Sequence, residues 1–248
     1  MVEKKLLSMS PNCNGSEKPT GKKFLNGDIF FYKVDNSWTH SKYFLENNTK
    51  KGVTICLDFD GVIVDPAELK SRFLKKAGFQ INPEESSRQK CLARNVPLNQ
   101  YREISSLVAT QHLMEMPIED GAIEGIRQLI ETNEIYIVTS RNTEETKAVI
   151  EFIEYHNISV DGIVSVNDRS KLNALAVIEA NYFLDDSLSK LLALIDETTW
   201  QVVRTLGKCK LLLYKNITNK DDSLSGTPIK KVKLWENIVQ IINDELSQ

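Results

Sequence analysis

The chain has 248 residues, 41% of them apolar and 26% charged, an ordinary makeup for a globular protein and enough chain to bury one or two cores. Its 31 basic and 34 acidic residues leave a formal net charge of −3, which offers no basic surface to a nucleic-acid polymer. No run approaches the roughly 20 apolar residues that a membrane-spanning helix needs, so no membrane contact is expected.

Residues 1–50 read as an N-terminal extension. The first 23 are polar and rich in Ser, Asn, Pro, Gly and Lys, the composition of a disordered tail. Within them GSEKPTGKK is not a phosphate loop. Five residues separate Gly15 from Gly21, Lys23 stands where Ser or Thr is required, and no apolar strand leads in. The opening MVEKKLLSMSPN lacks the apolar stretch of a secretory signal. FLNGDIFFYKVDNSW predicts a hairpin turning at Asn26, Gly27 and Asp28, and SKYFLENN a short helix, both packed on the main domain.

From Val53 the pattern sharpens. VTICL is a short apolar run, the mark of a strand buried on both faces, and it ends at Asp58. Cys56 inside it reads as a small core residue. Cys13, Cys91 and Cys209 lie far apart, with no CxxC pair, so neither a zinc site nor a disulfide scaffold is expected and a reducing cytoplasm fits. Residues 66–116 show apolar positions at helical spacing in AELKSRFLKKAGF and YREISSLVATQHLMEM, punctuated by Pro83 and Pro97. Strands and helices then alternate: AIEGIRQLIE helical, EIYIV extended, EETKAVIEFIEYH helical, GIVSV extended, KLNALAVIEA helical, NYFLDD extended, KLLALIDE helical, KLLLYK extended. A polar loop over 218–231 and an amphipathic helix, VKLWENIVQIINDEL, close the chain. The alternation predicts an α/β architecture: a Rossmann-like parallel sheet from residues 51–65 and 117–248, helices on both faces, and a small α-helical cap from 66–116.

In an open parallel sheet, ligands gather beyond the carboxyl ends of the strands. Those ends carry Asp58 and Asp60, then Thr139 and Ser140, then Asp185 and Asp186, with Lys171 opening the helix after GIVSVNDRS. This set suits phosphoryl transfer. Asp58 offers an attacking oxygen and a metal ligand, and Asp60 can protonate a leaving oxygen and later activate water. Gly61 lets the backbone turn close to a bound phosphate. Thr139, Ser140 and Arg141 offer donors to substrate, Lys171 neutralises charge, and Asp58, Asp60, Asp185 and Asp186 make an oxygen-rich site suited to Mg2+.

The same residues resemble the four motifs of the haloacid dehalogenase-like (HAD) hydrolase superfamily. DFDGVIVD (58–65) looks like motif one, IVTSR (137–141) like motif two, Lys171 like motif three and FLDDS (183–187) like motif four. The resemblance implies a HAD-like fold, Mg2+ and an aspartyl-phosphate at Asp58. Members that remove halogen lack the second aspartate of motif one, so Asp60 points to phosphate chemistry. The insert at 66–116 is similar to the family's C1 cap. The LLLYKN and VKLWENIV segments are similar to 5'-nucleotidase-like members, which favours a nucleoside monophosphate among small phosphorylated metabolites. Two other readings stand beside hydrolysis: phosphoryl transfer to another acceptor, as in mutases, and a non-catalytic module that docks a protein partner through residues 1–50.

Several residues have simpler explanations. Asp65, Pro66 and Glu68 have the order of a helix start, with Asp65 as N-cap. Asn142 reads equally as substrate contact or helix cap. His40, His112 and His156 show no metal spacing, and Trp235 reads as core packing.

Overall fold

The computed structural model describes residues 22–23, 28–34, 37–41, 43–44, 52–195, 209–216, 219 and 224–246. The expected tail therefore lies outside the described residues except for Lys22 and Lys23. Those two form β1 (Lys22–Lys23), followed by β2 (Ile29–Val34), β3 (Ser37–Ser41) and β4 (Tyr43–Phe44). The core runs through β5 (Thr54–Leu57), α1 (Ala67–Lys76), α2 (Arg88–Ala93), α3 (Leu98–Thr110), α4 (Ala122–Ile130), β6 (Glu134–Thr139), α5 (Thr143–Tyr155) and β7 (Gly162–Ser165). It finishes with α6 (Leu172–Ile178), β8 (Tyr182–Asp185), α7 (Leu188–Ile195), β9 (Lys210–Tyr214), β10 (Lys230–Val232) and α8 (Trp235–Leu246).

Eight strands make one sheet in the order β10-β9-β8-β5-β6-β7-β2-β3, parallel from β10 to β7. The apolar strands bury both faces by alternation. Ile55 and Leu57, with Ile135 and Ile137, pack on the face of α4, α5 and α8 beside Phe152, Trp235 and Ile238. Cys56, Tyr136 and Val138 point the other way, onto Leu175, Leu191 and Leu194 of α6 and α7. From β5 the chain winds one way through β6 and β7, then returns to the other side of β5 for β8, β9 and β10. The switch point falls between β5 and β8, where a crevice opens beyond the strand ends.

The helical insert builds a small core of its own from Leu74, Ile81, Cys91, Val96 and Tyr101. Its second predicted helix stops at Thr110, and a short α2 that weak periodicity concealed precedes it. Asp65 does cap the insert: its Oδ1 accepts the Ala67 N–H at 2.8 Å.

Two expectations are corrected and a third is only partly described. The expected turn at Asn26, Gly27 and Asp28 lies outside the described residues except for Asp28. β2 pairs with β3 across residues 35–36, and β2 also adds antiparallel to β7, so this segment extends the main sheet. The predicted helix in SKYFLENN is extended through Ser41 and again at Tyr43 and Phe44, which pair with Lys23 and Lys22, while 45–50 lie outside the described residues. Within the expected loop at 218–231, Lys230 and Lys231 join Val232 as an edge strand beside β9, too short and polar for an apolar pattern to reveal.

Candidate active site

Each site residue arrives at the crevice by a local reason in the chain. Asp58 follows the last residue of β5, and its N–H donates to the Leu184 carbonyl at 2.8 Å, so the pairing with β8 reaches into the site. Beyond it Phe59, Val62, Ile63 and Val64 are fully buried and anchor the loop. Gly61 N–H donates to Val64 O at 2.7 Å, and the indole Nε1 of Trp235 donates to Val62 O at 2.9 Å. Gly125 makes that indole's seat, since a Cβ there would lie 2.7 Å from the ring. Trp235 thus packs in the core, as its sequence pattern suggests, and also pins the loop.

Asp58, Asp185 and Asp186 bring one carboxylate oxygen each within 4.8 Å of one another. Lys171, at the N-terminus of α6, inserts its ammonium between two of them, 2.6 Å from Asp58 Oδ2 and 2.7 Å from Asp185 Oδ2. Asp58 Oδ1 accepts from the Phe59 N–H at 2.7 Å. Both oxygens of Asp185 are committed, because its Oδ1 takes the Ser187 N–H at 2.8 Å. Asp186 is less tied, with Asn216 Nδ2 at 2.9 Å from its Oδ2. The same amide donates to Gly61 O at 3.2 Å and so joins motif one to motif four.

The electrostatics follow from this packing. Burial pushes the Asp58 carboxyl up against the pull of Lys171, with Asp185 adding to the rise. Asp185 is buried too, yet Lys171, Lys190 and the Ser187 N–H together hold it below the usual carboxylate range. Burial and the neighbouring Asp185 charge push Asp186 up to about 7. Two ammoniums, Lys171 and Lys190, face three clustered carboxylates, and an all-oxygen donor set of this kind fits a hard divalent cation.

Asp60, expected in the metal set, lies outside that group. Its carboxylate is held by Arg141, with Nε 2.9 Å from Oδ2 and Nη2 2.8 Å from Oδ1. Burial opposes ionisation there, but the Arg141 guanidinium overcomes it and depresses the Asp60 carboxyl strongly. Arg141, expected to touch substrate, lines the cavity but is 4% exposed; it also stacks over the Phe59 ring and donates to the Ala109 carbonyl of α3 at 2.7 Å. Thr139 ends β6 fully buried, its Oγ1 accepting the Arg141 N–H at 3.2 Å, and Ser140 forms the cavity wall beside it. Asn142 is a helix cap: with Glu145 it makes a reciprocal capping box on α5, both hydrogen bonds at 3.0 Å.

Further residues complete the site, and Lys190 among them was not anticipated from the sequence. Lys190 of α7 reaches within 3.4 Å of Asp58 Oδ2. Burial works against its charge, and the carboxylates of Asp185, Asp58 and Asp186 outweigh burial. Its place four residues after Asp186, in the first turn of the next helix, was the available signal. Arg169 follows the β7 strand end and pairs with buried Asp28 at 3.1 Å, so the N-terminal segment braces the loop that carries Lys171. Above the crevice the insert closes a cavity of about 1,020 Å³. Arg88 of α2 bridges to Asp168 of the core at 2.7 Å across it.

Among the described residues no helix is long and apolar enough to cross a membrane. No family model matches the sequence, and no curated protein sequence does. Solved structures do. One is a protein from Lactobacillus plantarum, provisionally assigned as a phosphoglycolate phosphatase, at 14% identity and TM-score 0.54, covering 78% of this chain and 100% of that one. Another is a haloacid dehalogenase-like protein of unknown function from Agrobacterium tumefaciens, at 15% identity and TM-score 0.52, covering 78% and 99%. A phosphonoacetaldehyde hydrolase-like protein from Oleispira antarctica matches at 12% identity and TM-score 0.50, covering 83% and 98%. With the switch-point site and the winding of the sheet, these likenesses establish that the chain has the fold of the HAD hydrolase superfamily.

Proposed function

We propose that the chain is a Mg2+-dependent phosphomonoester hydrolase acting through an aspartyl-phosphate on Asp58. The observation that carries this reading is the placement of Asp58 Oδ2 2.6 Å from Lys171, inside the three-carboxylate group at the switch point. A lone buried carboxylate would be costly there, and this one sits where an anionic substrate needs both a nucleophile and cations. Asp58 and Asp186 would hold the metal, which supplies charge screening between the carboxylates and the phosphate. Asp185, with both oxygens taken, orients Lys171.

In the first half of the reaction, an Asp58 carboxylate oxygen bonds to phosphorus as the ester oxygen leaves with a proton from Asp60. In the second half, Asp60 takes a proton from water as that water attacks phosphorus, releasing phosphate and restoring Asp58. The clasp of Arg141 favours the ionised Asp60 that this second half requires. The first half calls for the clasp to loosen so that Asp60 can carry its proton. Asp60 also favours phosphate over halide chemistry, because a departing halide needs no proton.

The test is phosphate release from a panel of small phosphomonoesters, nucleoside monophosphates among them, with and without Mg2+. Release that needs Mg2+ and disappears in folded Asp58→Asn is expected. Undiminished release by Asp58→Asn would sink the mechanism.

A further inference from the structure

The wall that the insert gives to the cavity holds three polar groups the fold itself does not use. Lys70 lies in α1, and Tyr101 and Ser105 lie one turn apart in α3; all three line the cavity. Ser105 Oγ is buried without a hydrogen-bond partner. Among the described residues, neither the Lys70 ammonium nor the Tyr101 hydroxyl makes a hydrogen bond or an ion pair. Buried polar groups are nearly always partnered, so the unpartnered Ser105 Oγ, beside the cavity-lining Lys70 and Tyr101, points to something that binds there.

Other cations around the cavity are already engaged. Arg141 holds Asp60, Lys171 holds Asp58 and Asp185, and Arg88 holds Asp168. Lys70 instead stands in the field of Asp60 and Asp186 from the insert side, across from the phosphoryl-facing Lys171 and Lys190. That is the side on which Asp60 would meet the leaving oxygen. Lys70 can only donate, and a compact cation backed by two hydroxyls matches a group rich in acceptors and negative charge. The cavity, about 1,020 Å³, has room well beyond a phosphoryl group.

We infer that Lys70, Tyr101 and Ser105 form a subsite for an anionic oxygen group, a carboxylate or a second phosphate, on the leaving-group part of the substrate. The inference rests on the reading of Asp58 as phosphoryl acceptor, which fixes the side of the cavity the leaving group occupies.

The experiment is calorimetric binding in Mg2+ of three phosphonates: 3-phosphonopropionate, ethane-1,2-bisphosphonate and the neutral-tailed propylphosphonate. Wild type, Lys70→Ala and Ser105→Ala are compared, each checked for fold by circular dichroism. Wild type should bind one anionic-tailed ligand at least tenfold more tightly than propylphosphonate, and the better of the two names the anion. In Lys70→Ala that ratio should fall to within threefold of unity, and in Ser105→Ala it should fall partway. No preference in wild type, or a preference that Lys70→Ala retains, overturns the subsite. Because the readout is binding, failure of every phosphomonoester to turn over would refute the proposed reaction and leave this result standing.

Discussion

Arg141 grips Asp60 at two points, 2.9 Å and 2.8 Å, while its third nitrogen reaches the Ala109 carbonyl of α3 at 2.7 Å. One buried guanidinium therefore joins the loop after β5, the end of β6 and the helical insert. Such two-point pairs are geometrically demanding, and lysine cannot reproduce them.

Removing the guanidinium leaves the Asp60 carboxylate, 31% exposed at the cavity wall, without its partner. Arg141→Met is expected to cost about 3 kcal/mol of stability, the loss typical of breaking a buried pair from one side. Urea unfolding measures it. Pairing the change with Asp60→Asn should recover more than half of the loss, whereas strict additivity in the double-mutant cycle would show that the two groups do not interact.

Gly61 has φ of +79°, and a Cβ there would collide with the Asp186 carboxylate and crowd Asn216 Nδ2. Gly61→Ala should cost about 2 kcal/mol in strained backbone, and it should weaken Mg2+ binding by displacing Asp186. Isothermal titration with Mg2+ reads the second effect; wild-type affinity in the variant would remove Asp186 from the metal set.

The two lysines at Asp58 should differ in weight. Lys171 is 3% exposed and shared by two carboxylates, so Lys171→Met is expected to lower kcat on the order of 10³-fold. Lys190 is 45% exposed at 3.4 Å, and Lys190→Ala should lower kcat roughly tenfold with the fold intact. Steady-state kinetics on the best panel substrate would decide. Equal losses would mean that the exposed lysine contributes as much as the buried one.

Glu119 sits under Tyr214, whose hydroxyl is 3.3 Å from its Oε2. Burial, with the Asp65, Asp186 and Asp120 charges nearby, pushes its carboxyl up to about 7. The folded form then holds this proton more tightly than the unfolded chain. Stability from this group is fully present below the ordinary glutamate value and is lost as pH rises toward 7. Glu119→Gln should therefore melt several degrees higher than wild type at pH 8, with the gain gone at pH 4. A difference independent of pH would assign the effect to packing.

Much of this was readable from residue pattern because the buried parallel strands are short apolar runs, and the chemistry sits where those runs end. Asp58, Lys171 and Asp186 were visible for that reason, and the sheet brings them together across more than a hundred residues of chain. Lys190 and Lys70 were not visible, because a lysine on an amphipathic helix looks the same whether it faces solvent or a cavity. The Arg141 clasp on Asp60 spans 81 positions, and no local period encodes it. The addition of β2 to β7 was hidden similarly: an antiparallel pairing between distant segments depends on which sheet edge is open.

The central claim is that Asp58 is a phosphoryl-accepting carboxylate in a Mg2+ site. Beryllofluoride, which mimics a phosphoryl group on a carboxylate, tests it without knowledge of the substrate when followed by ¹⁹F NMR. The account predicts bound fluorine signals that require Mg2+, persist in wild type and vanish in folded Asp58→Asn. Bound signals of equal strength in Asp58→Asn, or none in wild type with saturating Mg2+, would contradict it.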